Sequence, residues 1–179
     1  MRLGYACINM ELQASKPKIT CNRGMIRRTF DAKGLPYASE LALQNVKDLS
    51  EIIKWNHAHS VEVFRMTSCL FPWASEYQLE QLPDYKQICQ ALKTAGDLAK
   101  EFGQRLSFHP GPFNVLSSGK EHVVNNCIKD LEHHGEVMDL LGMPRSRWAK
   151  INIHVGATYG DKVSALDRWC NNYERLSDA

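Results

Sequence analysis

The sequence has no apolar run approaching the roughly 20 residues that cross a bilayer, so a membrane-spanning helix is excluded. Its opening, MRLGYACINM, lacks the long apolar stretch of a secretory signal, and the expectation is a protein that stays in the cytoplasm or nucleus. Cysteine pairs are missing too. The six thiols (Cys7, Cys21, Cys69, Cys89, Cys127, Cys170) are scattered without a CxxC, which speaks against a zinc knuckle or a thioredoxin-type centre and suits a reducing compartment. Neither charge is in excess: 22 Lys and Arg against 20 Asp and Glu leave a formal +2, which neither demands nor excludes an anionic partner. Any basic surface must come from local clustering.

What is present, 44% hydrophobic and 23% charged residues over a length of 179, is the make-up of one globular domain with a core. Residues 2–10 open with Leu3-Gly4-Tyr5-Ala6-Cys7-Ile8, a run too short for a helix that reads as a buried strand. Residues 11–37 are polar, are interrupted by Pro17, Gly24, Gly34 and Pro36, and read as a long loop. Leu41, Leu43, Val46, Leu49, Ile52, Ile53 and Trp55 recur mostly at spacings of three and four and predict an amphipathic helix over 41–57. A β-branched and aromatic run predicts a second strand over 61–66, and helical spacing returns over 83–102 until Gly103. A third strand over 106–109, a helix over 122–141 stopped by Gly142 and Pro144, a fourth strand over 150–155 and a helix over 165–176 complete the chain.

Strands that alternate with long helical crossovers pair in parallel, because parallel neighbours need such connections. The fold class is therefore α/β, of (β/α)8 TIM-barrel type with about the first four βα units present, and residues 1–179 read as the N-terminal half of a single barrel domain. In a barrel the chemistry lies at the C-terminal ends of the strands. Asn9 ends the first, with Tyr5 earlier along it. Arg65, Thr67 and Ser68 end the second, His109 with Pro110-Gly111 the third, and His154 with Gly156 the fourth.

Two imidazoles on neighbouring strand ends can converge on one divalent ion, which makes His109 and His154 candidate ligands, against the alternative of two hydrogen-bonded structural histidines. Glu76, after Phe71-Pro72-Trp73-Ala74-Ser75, is a candidate carboxylate ligand or an exposed loop acid. His133-His134 and His57-x-His59 read as solvated helix and loop positions. Lys16, Lys18, Arg23, Arg27 and Arg28 form a basic stretch able to follow a phosphate backbone, or an ordinary solvated loop. Phe113, after Gly111-Pro112, is either a wedge that unstacks bases or a packed core residue.

Arg2-Leu3-Gly4-Tyr5 with Asn9, the helix from Asn45 to Asn56, Phe64-Arg65-Met66 through Phe71-Pro72-Trp73, Leu106-Ser107-Phe108-His109-Pro110-Gly111, and Ile153-His154-Val155-Gly156 with Tyr159-Gly160 run in one order along nearly the whole chain. In these stretches the chain resembles the N-terminal half of the UV damage endonucleases. The resemblance implies a TIM-barrel endonuclease domain with a cluster of divalent metals, commonly manganese, with magnesium or zinc as alternatives. It implies a partner, damaged double-stranded DNA, nicked on the 5′ side of UV photoproducts. His109 and His154 match metal ligands of that family, and Glu76 falls where some members carry a histidine ligand. Tyr5 and Asn9 match positions near the DNA, with Arg27 and Arg28 as further DNA-binding candidates. Pro112 and Phe113 stand where some members have a Gln-Tyr lesion probe. The remaining ligands implied by the resemblance lie on later strands, so this chain is expected to be an inactive fragment. Two other readings are a metal-dependent sugar isomerase or epimerase, whose barrels also use strand-end histidines, and a non-catalytic half-barrel that closes by dimerising.

Overall fold

Four short strands form the frame of the computed structural model, which describes residues 1–177. They are β1 (Gly4–Ala6), β2 (Val63–Met66), β3 (Arg105–Phe108) and β4 (Lys150–Ile151), paired in parallel in the order β1-β2-β3-β4. The register sets Tyr5 beside Phe64, Phe64 beside Leu106 and Phe108 beside Ile151. The order never reverses. With right-handed crossovers, a sheet of this kind keeps its helices on one side, as a barrel wall does and a doubly wound sheet does not.

The helices are α1 (Met10–Ala14), α2 (Arg27–Ala58), α3 (Tyr85–Glu101), α4 (Glu121–Leu140) and α5 (Lys162–Tyr173), with single 3₁₀ turns at Ala74–Glu76 and Leu79–Gln81. Side chains alternate across a strand, so Phe64, Met66, Leu106 and Phe108 point into the helical layer, where each is buried. Against them α2 sets Val46, Leu49, Ile52 and Ile53, and α3 sets Ile88, Leu92, Ala95 and Ala99, all buried on one helical stripe. A smaller cluster of Leu116, Cys127 and Leu131 lies beneath Trp169 and Leu176 of the C-terminal segment. The opposite, concave face carries Val63, Arg65, Arg105 and Ser107 by the same alternation. There the Nε of Arg65 is buried without a hydrogen-bond partner.

The expected long loop over 11–37 is corrected at both ends. One helical turn, α1, is too short to show a period, yet Asn9 caps it by accepting the Leu12 N–H at 2.9 Å. At the other end α2 starts at Arg27 and runs through Gly34 as a joint. Gly34 takes φ 62° and ψ −156°, a region that only glycine occupies readily. Pro36 then sits in the opening turn of the longer segment, where its missing N–H is not needed. Between the two, the chain is held by side chains of α2. Asp48 accepts from Thr20 N and from Arg23 Nη1, and Asn45 bonds both backbone groups of Arg23.

The fourth strand is shorter than the expected 150–155. Asn152 N still donates to Phe108 O, but β3 ends there, so the ladder has nothing further to pair with. Gly96 explains how α3 and α4 approach: a Cβ at this position would lie 1.7 Å from the carbonyl oxygen of Leu141. All six cysteines are free. Among the described residues no helix is long and apolar enough to cross a membrane.

Candidate metal and nucleic-acid site

His109 follows the last residue of β3, two positions beyond Ser107, so the concave face of the strand delivers it to the C-terminal rim. Its Nδ1 lies 2.9 Å from the carbonyl oxygen of Asn152. A carbonyl only accepts, so Nδ1 carries a proton and Nε2 is the nitrogen open to a metal, the arrangement of a metal-binding imidazole. His154, exposed in the loop after β4, places its ring 4.4 Å from that of His109 at an interplanar angle of 50°. The two candidate ligands from separate strands are thus neighbours.

Glu76 is not with them. It ends the 3₁₀ turn at Ala74–Glu76, where its Oε1 accepts from Arg27 Nη1 at 3.0 Å. Among the described residues no three His, Cys, Asp or Glu side chains stand close enough to hold a metal ion. Two imidazoles suit a borderline divalent ion but fill only part of its coordination shell. The residues present therefore fit one side of a metal site.

The loop after His109 carries Pro112 and Phe113, and Phe113 is 88% exposed. That removes the alternative of a packed core phenylalanine and leaves a large apolar ring in water, on the loop that begins with His109. Tyr5 and Asn9 are bonded to each other and to α2. The Tyr5 hydroxyl donates to Asn56 Oδ1 at 2.7 Å and accepts from Asn9 Nδ2 at 3.0 Å, while Asn56 donates to Gln104 Oε1. Burial raises the Tyr5 phenol above its ordinary value, against the lowering effect of Asn9 and Asn56. This chain of polar groups joins β1, α2 and the α3–β3 turn inside the molecule.

The basic stretch is partly neutralised. Arg23 pairs with Asp48 at 2.6 Å. Arg27 bridges Asp31 and Glu76 and lies over the rings of Trp73 and Phe30. Its guanidinium is raised above its ordinary value, first by the hydrogen bond that it donates to Asp31 and then by the charges of Asp31 and Glu76. Arg28, Lys16 and Lys18 are exposed.

His133 and His134 do not stand in solvent as expected. His134 is buried against the edge of Phe108, with Nδ1 2.6 Å from Asp130 O, and the ring of His133 packs edge-on to Phe71. Their neighbours lie on other elements, which the helical period alone could not reveal. His57 and His59 are exposed and stack on Phe102 and Trp55. Sequence reasoning also missed Ser117, Arg168 and Trp169, which bond the backbone carbonyls of Gly156, Tyr159 and His154 respectively. Contacts to carbonyls leave no pattern in a sequence. A cleft of about 550 Å³ between α4, β4 and α5 is lined by Leu131, Met138, Ile151 and Tyr173 and contains neither His109 nor His154.

This geometry is accompanied by a match to the family described as UV-endonuclease UvdE, which runs over residues 1–179. The chain belongs to the UvdE family. It is 36% identical over 180 residues to a UV-damage endonuclease of Schizosaccharomyces pombe, covering 99% of this chain and 30% of that protein. It is 32% identical to the UV DNA damage endonuclease of Bacillus cereus strain Q1, covering 98% of this chain and 55% of the relative. The crystal structure of SacUVDE superposes with a TM-score of 0.83 at 29% identity, over 99% of this chain and 57% of that one. The expected architecture, a partial barrel of TIM type, is thereby shown for this UvdE member. The chain spans about a third to somewhat over half the length of these relatives.

Proposed function

We propose that this chain is the N-terminal part of a metal-dependent DNA repair endonuclease that nicks damaged duplex on the 5′ side of UV photoproducts. The observation that carries this reading is the contact between His109 and His154 at adjacent strand ends, in a chain of the UV-endonuclease UvdE family. Family membership also favours it over a sugar isomerase.

His109 would offer Nε2 to a divalent ion, manganese in the first place, with His154 beside it. When bound, such an ion supplies Lewis acidity to a scissile phosphate and lowers the pKa of a bound water. The Asn152 carbonyl accepts from His109 Nδ1, so Nε2 is the nitrogen that would face the ion. Pro112 and Phe113 would enter the damaged helix, where an inserted apolar ring stabilises an unstacked step. Arg28 would meet the phosphate backbone, and Arg27 would join it only by leaving Asp31 or Glu76. Glu76 would reach the ion only after parting from Arg27. Tyr5 and Asn9 would set the end of β1 beneath the DNA.

The test is nicking of irradiated plasmid by the full-length protein with manganese. Cleavage that requires the ion, is lost in His109→Ala and His154→Ala and spares unirradiated plasmid is expected. Failure of the wild-type protein to nick irradiated DNA under these conditions would sink the proposal.

A further inference from the structure

We propose that Arg168 and Ser117 are positioning residues that hold His154 against His109 by clamping the β3–α4 and β4–α5 loops together. The inference rests on the reading of the two imidazoles as ion ligands. Nothing in the sheet fixes His154, because the ladder ends at Asn152 and residues 154–157 are exposed, with only Ile153 between them packed against the Leu116 cluster. Three residues on, Ala157 has φ 62°, a left-handed conformation that a residue with a Cβ adopts only when its surroundings impose it.

Side chains impose it from two directions. The Ser117 hydroxyl, buried in the β3–α4 loop, lies 2.5 Å from Gly156 O and 3.0 Å from Ala157 O. Arg168, on α5, donates from Nε to Ser117 O at 2.9 Å and from Nη2 to Tyr159 O at 2.7 Å. Two neighbours on α5 extend the grip. Trp169 Nε1 donates to the carbonyl of His154 itself at 3.3 Å, and Asn172 Nδ2 to Leu116 O at 2.8 Å.

The two ends of the Arg168 fork thus reach one carbonyl on each loop. A planar guanidinium can do this and a lysine ammonium, a point charge on a flexible stem, cannot hold both in one geometry. Because the β3–α4 loop also carries Phe113, the clamp fixes the exposed ring and the candidate ligand in one frame. Groups that orient a ligand without touching the ion typically change metal affinity by about 10- to 100-fold.

The experiment compares Arg168→Gln, Arg168→Lys and Ser117→Ala in the full-length protein with Arg175→Gln, a change on the same C-terminal segment that bonds Glu121 and Asn125 of α4 and the Oδ1 of Asn172, and leaves the Nδ2 of Asn172 on Leu116 O. Two quantities are read: the manganese dissociation constant by titration calorimetry, and the imidazole nitrogen-proton NMR signals of His109 and His154 without metal. A loss of manganese affinity of about tenfold in the first three variants, unrepaired by lysine, with shifted His154 signals and a neutral Arg175→Gln, is the expected result. Unchanged His154 signals in Arg168→Gln and Ser117→Ala would overturn the clamp, as would an equal loss in Arg175→Gln. Should Arg168→Gln fail to fold, Ser117→Ala removes a single hydroxyl and carries the same comparison. If the wild-type protein binds no manganese, the ion-ligand reading fails by itself, and the imidazole signals still decide the clamp.

Discussion

At the scale of single residues, histidines of one chemistry have taken opposite roles. Burial, followed by the nearby charges of His134 and Lys129, lowers His133 to about 3 from an ordinary 6.5. Above 6.5 neither the folded nor the unfolded chain protonates it, so it adds no pH dependence there. Between 6.5 and about 3 the unfolded chain takes the proton first, so stability falls as pH falls, by at most about 1.4 kcal/mol per pH unit for one such group. His133→Phe keeps a ring against Phe71 and removes the titration. Its urea midpoint is therefore expected to decline less between pH 6.5 and 4 than that of the wild type. Phe113 makes the complementary case. Because Phe113 is 88% exposed, its replacement by alanine is expected to leave the unfolding free energy within about 0.5 kcal/mol of wild type. The same variant should lose preference for irradiated over intact duplex in a competition binding assay. The nearness of His109 and His154 was legible in the sequence because strand ends are marked by local pattern. The inward turn of the Tyr5 hydroxyl was not, because its partner Asn56 is 51 residues away.

Among the elements, α2 and β4 were read least well, for opposite reasons. In α2 the residues that normally punctuate a loop, Gly34 and Pro36, act as a joint between two helical segments, and only the backbone angle at Gly34 distinguishes the cases. In β4 the sequence alternates over six residues while the strand has two, because its length is set by where β3 ends. The helices α3 and α4 were read nearly in register, since their apolar stripes are long enough to declare a period. What no period declares is the contact between them. At Gly96 any side chain would enter the carbonyl of Leu141, and neither backbone can yield without moving a whole helix. Gly96→Ala, a change that normally favours a helix by about 1 kcal/mol, is expected here to destabilise by about 1 to 3 kcal/mol. Chemical denaturation decides the sign.

On the scale of the whole molecule, strand order, parallel pairing and barrel class were legible, because alternation of strand and helix admits few topologies. The site was legible only in part, since the described residues bring two imidazoles together and no third ligand. The 179-residue chain alone, supplied with manganese, is accordingly expected to leave irradiated plasmid intact under conditions where a chain of its relatives' full length nicks it. Detectable nicking by the short chain would mean that two imidazoles and solvent suffice. The unreversed order of the sheet has one more consequence. Each strand bonds the strand made just before it, so no segment has to wait for a distant one before it can pair. The wall can be laid down in the order in which it leaves the ribosome, one strand and one helix at a time. A pause in translation between units then leaves behind a sheet that is shorter but already correctly paired.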